Sequence, residues 1–86
     1  MFAHQSTCNS VTPTQLIAPD DKNRWIYIHN SQGNIVYIGS PVVTASTGFK
    51  LDGGEKIEIF LPIHEDLYGI TASSTSEVFI ITPDLD

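Results

Sequence analysis

The sequence predicts an all-β fold, a small antiparallel β-sandwich or barrel of about six to eight short strands. Three observations carry this. Runs rich in Val, Ile, Tyr, Phe and Thr recur at short intervals along the 86 residues. Turn residues separate them, as in Ser31-Gln32-Gly33, Asp52-Gly53-Gly54 and Ser74-Thr75-Ser76. Apolar side chains repeat at every second position, and no run holds the i, i+3, i+4 spacing of an amphipathic helix.

The elements follow in order. Residues 1–19 differ from the rest: they are rich in Ser, Thr, Gln and Asn, with Pro13 and Pro19. They are expected to form an N-terminal arm, with 11–18 as an edge strand, where the missing N–H of Pro13 costs nothing. Residues 20–86 are expected to form the β domain, opening on the polar turn Asp20-Asp21-Lys22-Asn23 and closing in a short tail. RWIYIHN (24–30) is the first clear strand. It puts Ile26 and Ile28 on one face and Trp25, Tyr27 and His29 on the other. NIVYIG (34–39) follows a Gly-containing turn, and the two runs read as an antiparallel hairpin. Residues 40–47 read as extended, and 48–51 as a short segment before the Asp-Gly-Gly turn. EKIEIFL (55–61) has Ile57, Ile59 and Leu61 on one face, and Pro62 ends it. LYGITAS (67–73) and EVFIIT (77–82) supply the last strands. Several strands are apolar on both faces, so part of the second face is expected to be covered by a sheet, by the arm or by a neighbouring subunit.

Composition narrows the function. Asp and Glu number 10 against 4 Lys and Arg. Phosphate neutralisation needs clustered cations, so no nucleic-acid partner is expected. Residues 1–10 contain neither Lys nor Arg and no apolar run, so no signal peptide is expected; no apolar stretch approaches membrane-spanning length, so no span is expected and the product should be soluble. Cys8 is the single cysteine, which excludes an internal disulfide and reads as an inert thiol in a reducing compartment. A domain this small with no staple is expected to gain stability from oligomerisation or docking.

A search for chemistry finds little. His4, His29 and His64 lack ligand spacing, and no cofactor or metal is expected. The acidic turns lack the alternating oxygen ligands of a calcium loop. There is no G-x-S-x-G elbow, and the carboxylates Glu55, Glu58, Glu65 and Asp66 read as solvated surface, so no enzyme is expected. Trp25 and Tyr27 share a strand face. Such rings fill cores and subunit interfaces, or alternatively form a sugar-binding platform.

The ordered run Ile35-Val36-Tyr37-Ile38-Gly39, Val43-Thr44-Ala45-Ser46-Thr47-Gly48-Phe49, Leu51, Gly54-Glu55, Leu67-Tyr68-Gly69-Ile70-Thr71-Ala72-Ser73 and Val78 resembles a pattern of small structural, head-decoration proteins of tailed bacteriophages. It covers residues 25–82. The departures are Gly69 in place of Ala, Ser40-Pro41 in place of a second Gly, and Ser73-Ser74-Thr75 in place of a Gly-containing turn. The resemblance implies architectural roles for Tyr37, Gly39, Gly48, Leu51, Gly54, Leu67, Tyr68 and Val78, and no catalytic residue. It implies a virion protein, made in the host cytoplasm, that binds the outer surface of a capsid and reinforces the shell. The major capsid protein or another virion protein would be its partner. Because modules of the resembled kind also recur in head fibres, tail components and receptor-binding assemblies, the alternative expectation is a tail, collar, adaptor or fibre component, or a carbohydrate- or receptor-binding β module.

Two further expectations follow. The segment before Pro19 is expected to be a docking arm anchored by Phe2, Val11, Leu16 and Ile17, with Trp25 and Tyr27 as further contacts. Deleting it should abolish capsid binding and leave the β domain folded. The two-faced strands point to a homo-oligomer of cyclic symmetry, a trimer foremost.

Overall fold

The computed structural model describes residues 2–31 and 33–83, with the side chain of Phe2 outside the description. Among these residues there is no helix, and there are eight antiparallel strands: β1 (Phe2–Cys8), β2 (Thr14–Ile17), β3 (Arg24–Asn30), β4 (Val36–Gly39), β5 (Phe49–Leu51), β6 (Lys56–Leu61), β7 (Leu67–Thr71) and β8 (Ser76–Thr82). They form two four-stranded sheets, ordered β1-β8-β3-β6 and β2-β7-β4-β5. This order is that of a jelly roll, in which a long antiparallel hairpin is rolled so that β1 meets β8 and β2 meets β7. The predicted β-sandwich is therefore present.

The period of two decides which side chains are buried. In β3, Arg24, Ile26, Ile28 and Asn30 point inward and Trp25, Tyr27 and His29 outward. In β8, Ser76, Val78, Ile80 and Thr82 point inward. Across the gap the second sheet offers Leu16, Ile17, Val36, Ile38, Leu51 and Leu67, and the facing sets form one core. Each such aliphatic side chain contributes about 1.5–3 kcal/mol by leaving water.

The N-terminal segment is not an arm. β1 pairs with β8 from Phe2↔Thr82 to Cys8↔Ser76, along its whole length. β2 is an edge strand of the second sheet, paired with β7. The side chains of Cys8, Leu16 and Ile17 lie in the core. Leu16 and Ile17 therefore cannot anchor an external partner, because docking through them would empty the interior. The link between β1 and β2 is held by Asn9, whose Oδ1 accepts from the N–H groups of Val11 and Thr12 at 2.9 and 3.0 Å. Val11 projects from this turn, 84% exposed.

Two local expectations are also corrected. β3 and β4 do not form a hairpin: β3 pairs with β6 and β8, while β4 pairs with β5 and β7 in the other sheet. The turn at Gly33 carries the chain between sheets. Nor are residues 40–47 extended. They make successive turns closed by Val43 N–H to Ser40 O and Gly48 N–H to Thr44 O, at 3.0 and 2.9 Å. This fold-back buries Val43 against β4.

Two glycines sit where the fold-back onto β4 leaves no room for a side chain. A Cβ on Gly48 would lie 2.7 Å from both Tyr37 Cβ and Val43 Cγ2, and one on Gly39 would lie 2.9 Å from Val43 Cγ2. Gly54 has φ +83°, open to glycine without strain. Ser74 takes φ 62° in the β7–β8 turn, and its carbonyl accepts from Thr71 Oγ1 at 2.8 Å. Leu51, Leu67 and Val78 are buried, and Tyr37 and Tyr68 are half-buried.

Candidate functional site

Sheet order brings the outward side chains of four strands into rows. One row runs Ala3, Ile81, Tyr27, Glu58, and the next Gln5, Phe79, His29, Lys56. Trp25 stands opposite Phe60 beyond the first row. The two rings meet edge to face, with centroids 5.3 Å apart and planes at 64°. This arrangement satisfies the ring quadrupoles and holds both side chains in place.

The result is an aromatic face on the outside of the first sheet. Trp25 is 48% exposed, Phe60 47%, Phe79 44% and Tyr27 41%. An open concavity of about 780 Å³ crosses it, floored by Tyr27, Phe79 and Ile81 and bordered by Gln5, His29, Lys56 and Glu58. At the β1 end Gln5 donates through Nε2 to the Glu77 carboxylate. Apolar rings fixed on a rigid sheet, with a polar border, suit the burial of another surface. The second-face cover expected from the two-sided strands does not come from the described residues of this chain on that side: the face meets solvent.

Of the sequence-predicted contacts, Trp25 and Tyr27 lie on this face. Val11 lies apart, in the β1–β2 turn, Leu16 and Ile17 are in the core, and the Phe2 side chain falls outside the described residues. Phe60 and Phe79, which complete the face, were not singled out by the sequence. Only strand order sets them beside Trp25 and Tyr27, although each sits at an outward position in a period-two run.

Two buried polar side chains were also missed. Arg24 is 1% exposed, and its Nη1 and Nη2 donate to Ala18 O and Glu65 O, both at 2.8 Å. It ties the entry to β3 to the loop before β7. It also lines a second concavity, of about 360 Å³, beside His4 and Leu16. There His4 Nε2 donates to Leu16 O at 2.7 Å and closes the β1–β2 flank of the sandwich. Asn30 Nδ2 donates to Asn34 O and Leu51 O at 2.7 and 3.0 Å, and Asn30 Oδ1 accepts from Ser76 Oγ at 2.7 Å. Both residues satisfy main-chain carbonyls and so act as fasteners of the fold. Among the described residues no three His, Cys, Asp or Glu side chains converge as metal ligands.

Burial pushes the Cys8 thiol up, from its ordinary 9.0 to about 11. The neutral thiol is thus the form the folded state favours. That contribution to stability is complete below pH 9.0 and is lost as pH rises through about 11. A thiol-specific disulfide reagent at pH 8 should leave the native protein unmodified and react with one equivalent after denaturation, read by absorbance of the released thiolate. Rapid labelling of the native chain would mean that the β1 edge opens.

Compared with known proteins, the chain matches no family model, no curated protein and no solved structure.

Proposed function

We propose that this chain is a non-enzymatic virion structural protein. It binds the outer surface of a phage capsid through the outward face of its first sheet, and so decorates or stabilises the shell. The observation that carries this reading is the set Trp25, Tyr27, Phe60 and Phe79, four solvent-exposed rings on one rigid sheet. Contiguous exposed apolar surface of this kind marks interaction sites in small domains. The ordered phage-like pattern adds its support, since its glycines and apolar residues fall at positions this jelly roll uses for turns and core. The major capsid protein, or another virion protein at the same surface, is the partner. Attachment would come from area burial around central aromatic anchors and not from one reactive group.

The test is co-sedimentation of the purified chain with shells that lack it. Trp25→Ala should weaken attachment by about thirtyfold or more, the effect of losing an anchor worth about 2 kcal/mol or more. Its melting temperature should stay within a few degrees of the parent's, because the ring is half outside the fold. Binding that is unchanged in both Trp25→Ala and Phe79→Ala would remove this face from the attachment. Immunogold labelling of intact virions reads the position: label over the head supports shell decoration. Label only at the tail or collar moves the same face to an adaptor or fibre role.

The exposed Trp25 and Tyr27 rings also favour a second reading, a carbohydrate- or receptor-binding module. Glycan-array binding that is lost in Trp25→Ala would select it over shell attachment.

A further inference from the structure

We infer that the open edge of β6 is a self-association edge, which joins two copies of this chain antiparallel about a twofold axis. The inference concerns the strand edge whose outward residues, Lys56, Glu58 and Phe60, border the aromatic face, and it does not depend on the shell-binding reading.

The sandwich has four strand edges among its described residues: β1 and β6 in the first sheet, β2 and β5 in the second. β5 has three residues, and β2 has four with a register shift between Gln15 and Ile17. Both are short or irregular, as strands guarded against pairing usually are. β1 is longer, but the bond from His4 to Leu16 O closes its flank onto β2. β6 is six residues long, pairs with β3 in an unbroken register and contains no proline. On its flank Ile57 and Ile59 are only half-buried, and Phe60 is exposed.

The ladder fixes which main-chain groups are free. Asn30 N–H donates to Glu55 O at 2.9 Å. Antiparallel pairs alternate between bonded and non-bonded, so Ile57, Ile59 and Leu61 bond toward β3. The N–H and C=O groups of Lys56, Glu58 and Phe60 then point away from the sheet. A second copy laid antiparallel, with its Glu58 opposite Lys56, is in bonding register with them. The twofold axis repeats the pair as Glu58 opposite the Lys56 of the second copy. Each copy thus meets the opposite charge twice, on the same outward side of the sheet. Phe60 falls opposite Gly54 of the second copy, where no side chain stands in its way.

The neighbouring registers are worse. A shift that sets Glu58 opposite Glu58 juxtaposes like charges, and a one-residue slip sends each outward residue to the wrong face. The chosen register also makes a continuous eight-stranded sheet whose two aromatic faces lie on one side. A twofold pair is thus what this edge supports, in place of the threefold ring expected from the two-sided strands.

The experiment is sedimentation equilibrium of the full chain and its charge variants. The parent should sediment at twice the 9.4 kDa of the single chain. K56E and E58K, both exposed positions, should each weaken association by about tenfold or more, because both pairs of the interface become like-charged. Mixing K56E with E58K should restore association as a heterodimer, and the exchanged variant K56E/E58K should dimerise like the parent. A parent that remains monomeric up to about 1 mM, or that sediments as a trimer, overturns the inference. So does a dimer indifferent to both reversals, or single variants that the mixture fails to rescue. Shell binding is read separately through Trp25→Ala, so failure of one proposal leaves the other standing.

Discussion

Removing residues 1–18 should leave a chain that no longer folds. The excision takes away β1 and β2, one strand from each sheet. β8 would lose its partner along seven registered positions, and β7 would become an unprotected edge. The core would lose Cys8, Leu16 and Ile17 together. Burial of Leu16 and Ile17 alone is worth about 3–6 kcal/mol. That equals or exceeds the net stability of about 3–5 kcal/mol that a core of this size supplies. Far-ultraviolet circular dichroism and a thermal melt decide the matter. Loss of the cooperative transition is expected, and a retained sharp melt would return the segment to the status of a dispensable arm.

Asn30→Ala should cost about 3–5 kcal/mol, large enough to unfold much of the population at ambient temperature. The side chain makes three hydrogen bonds, and they reach Asn34 before β4, Leu51 in β5 and Ser76 in β8. It therefore pins the first sheet to the second at one end of the sandwich. Alanine removes all three bonds and strands the Leu51 carbonyl and the Ser76 hydroxyl in a place closed to solvent. Asn30→Asp is the sharper control. It keeps the acceptor for Ser76 but places carboxylate oxygen against two carbonyl oxygens, so it should rescue little at neutral pH. Ser76→Ala, which leaves the two donated bonds intact, should cost about 1 kcal/mol. Urea unfolding monitored by Trp25 fluorescence gives all three values. A loss below about 1 kcal/mol for Asn30→Ala would show that water takes over the contacts.

The strands that read clearly in the sequence are those with one apolar and one outward set. RWIYIHN gives its faces by parity alone, and that parity already puts Arg24 and Asn30 on the side of Ile26 and Ile28. The signal for two buried polar fasteners is therefore present in the strand parity. β1 was illegible for a different reason. Its inward positions are His4, Ser6 and Cys8, of which only the Cys8 thiol is fully buried in the core while His4 bonds a carbonyl at the sandwich flank, so no apolar alternation marks it. The β3–β4 link failed because a short turn with glycine serves equally for a hairpin and for a crossing between sheets. Only long-range pairing separates the two. The same limit applies to the site. Trp25 and Tyr27 share a strand and are visible together, whereas Phe60 and Phe79 join them through registers that no local pattern encodes.

The position of β8 has a bearing on how the chain reaches this state. It lies between β1 and β3, so β1 has no partner in its sheet, and β3 none but β6, until β8 has been made. Through synthesis, β1 waits unpaired and β3 waits with one open edge. Closure of such distant pairings is slow compared with local hairpin formation. The interval before β8 arrives is the period of greatest exposure to wrong pairing. Mutations that weaken the β8 registers should therefore lower the yield of soluble protein more than their effect on equilibrium stability alone would suggest.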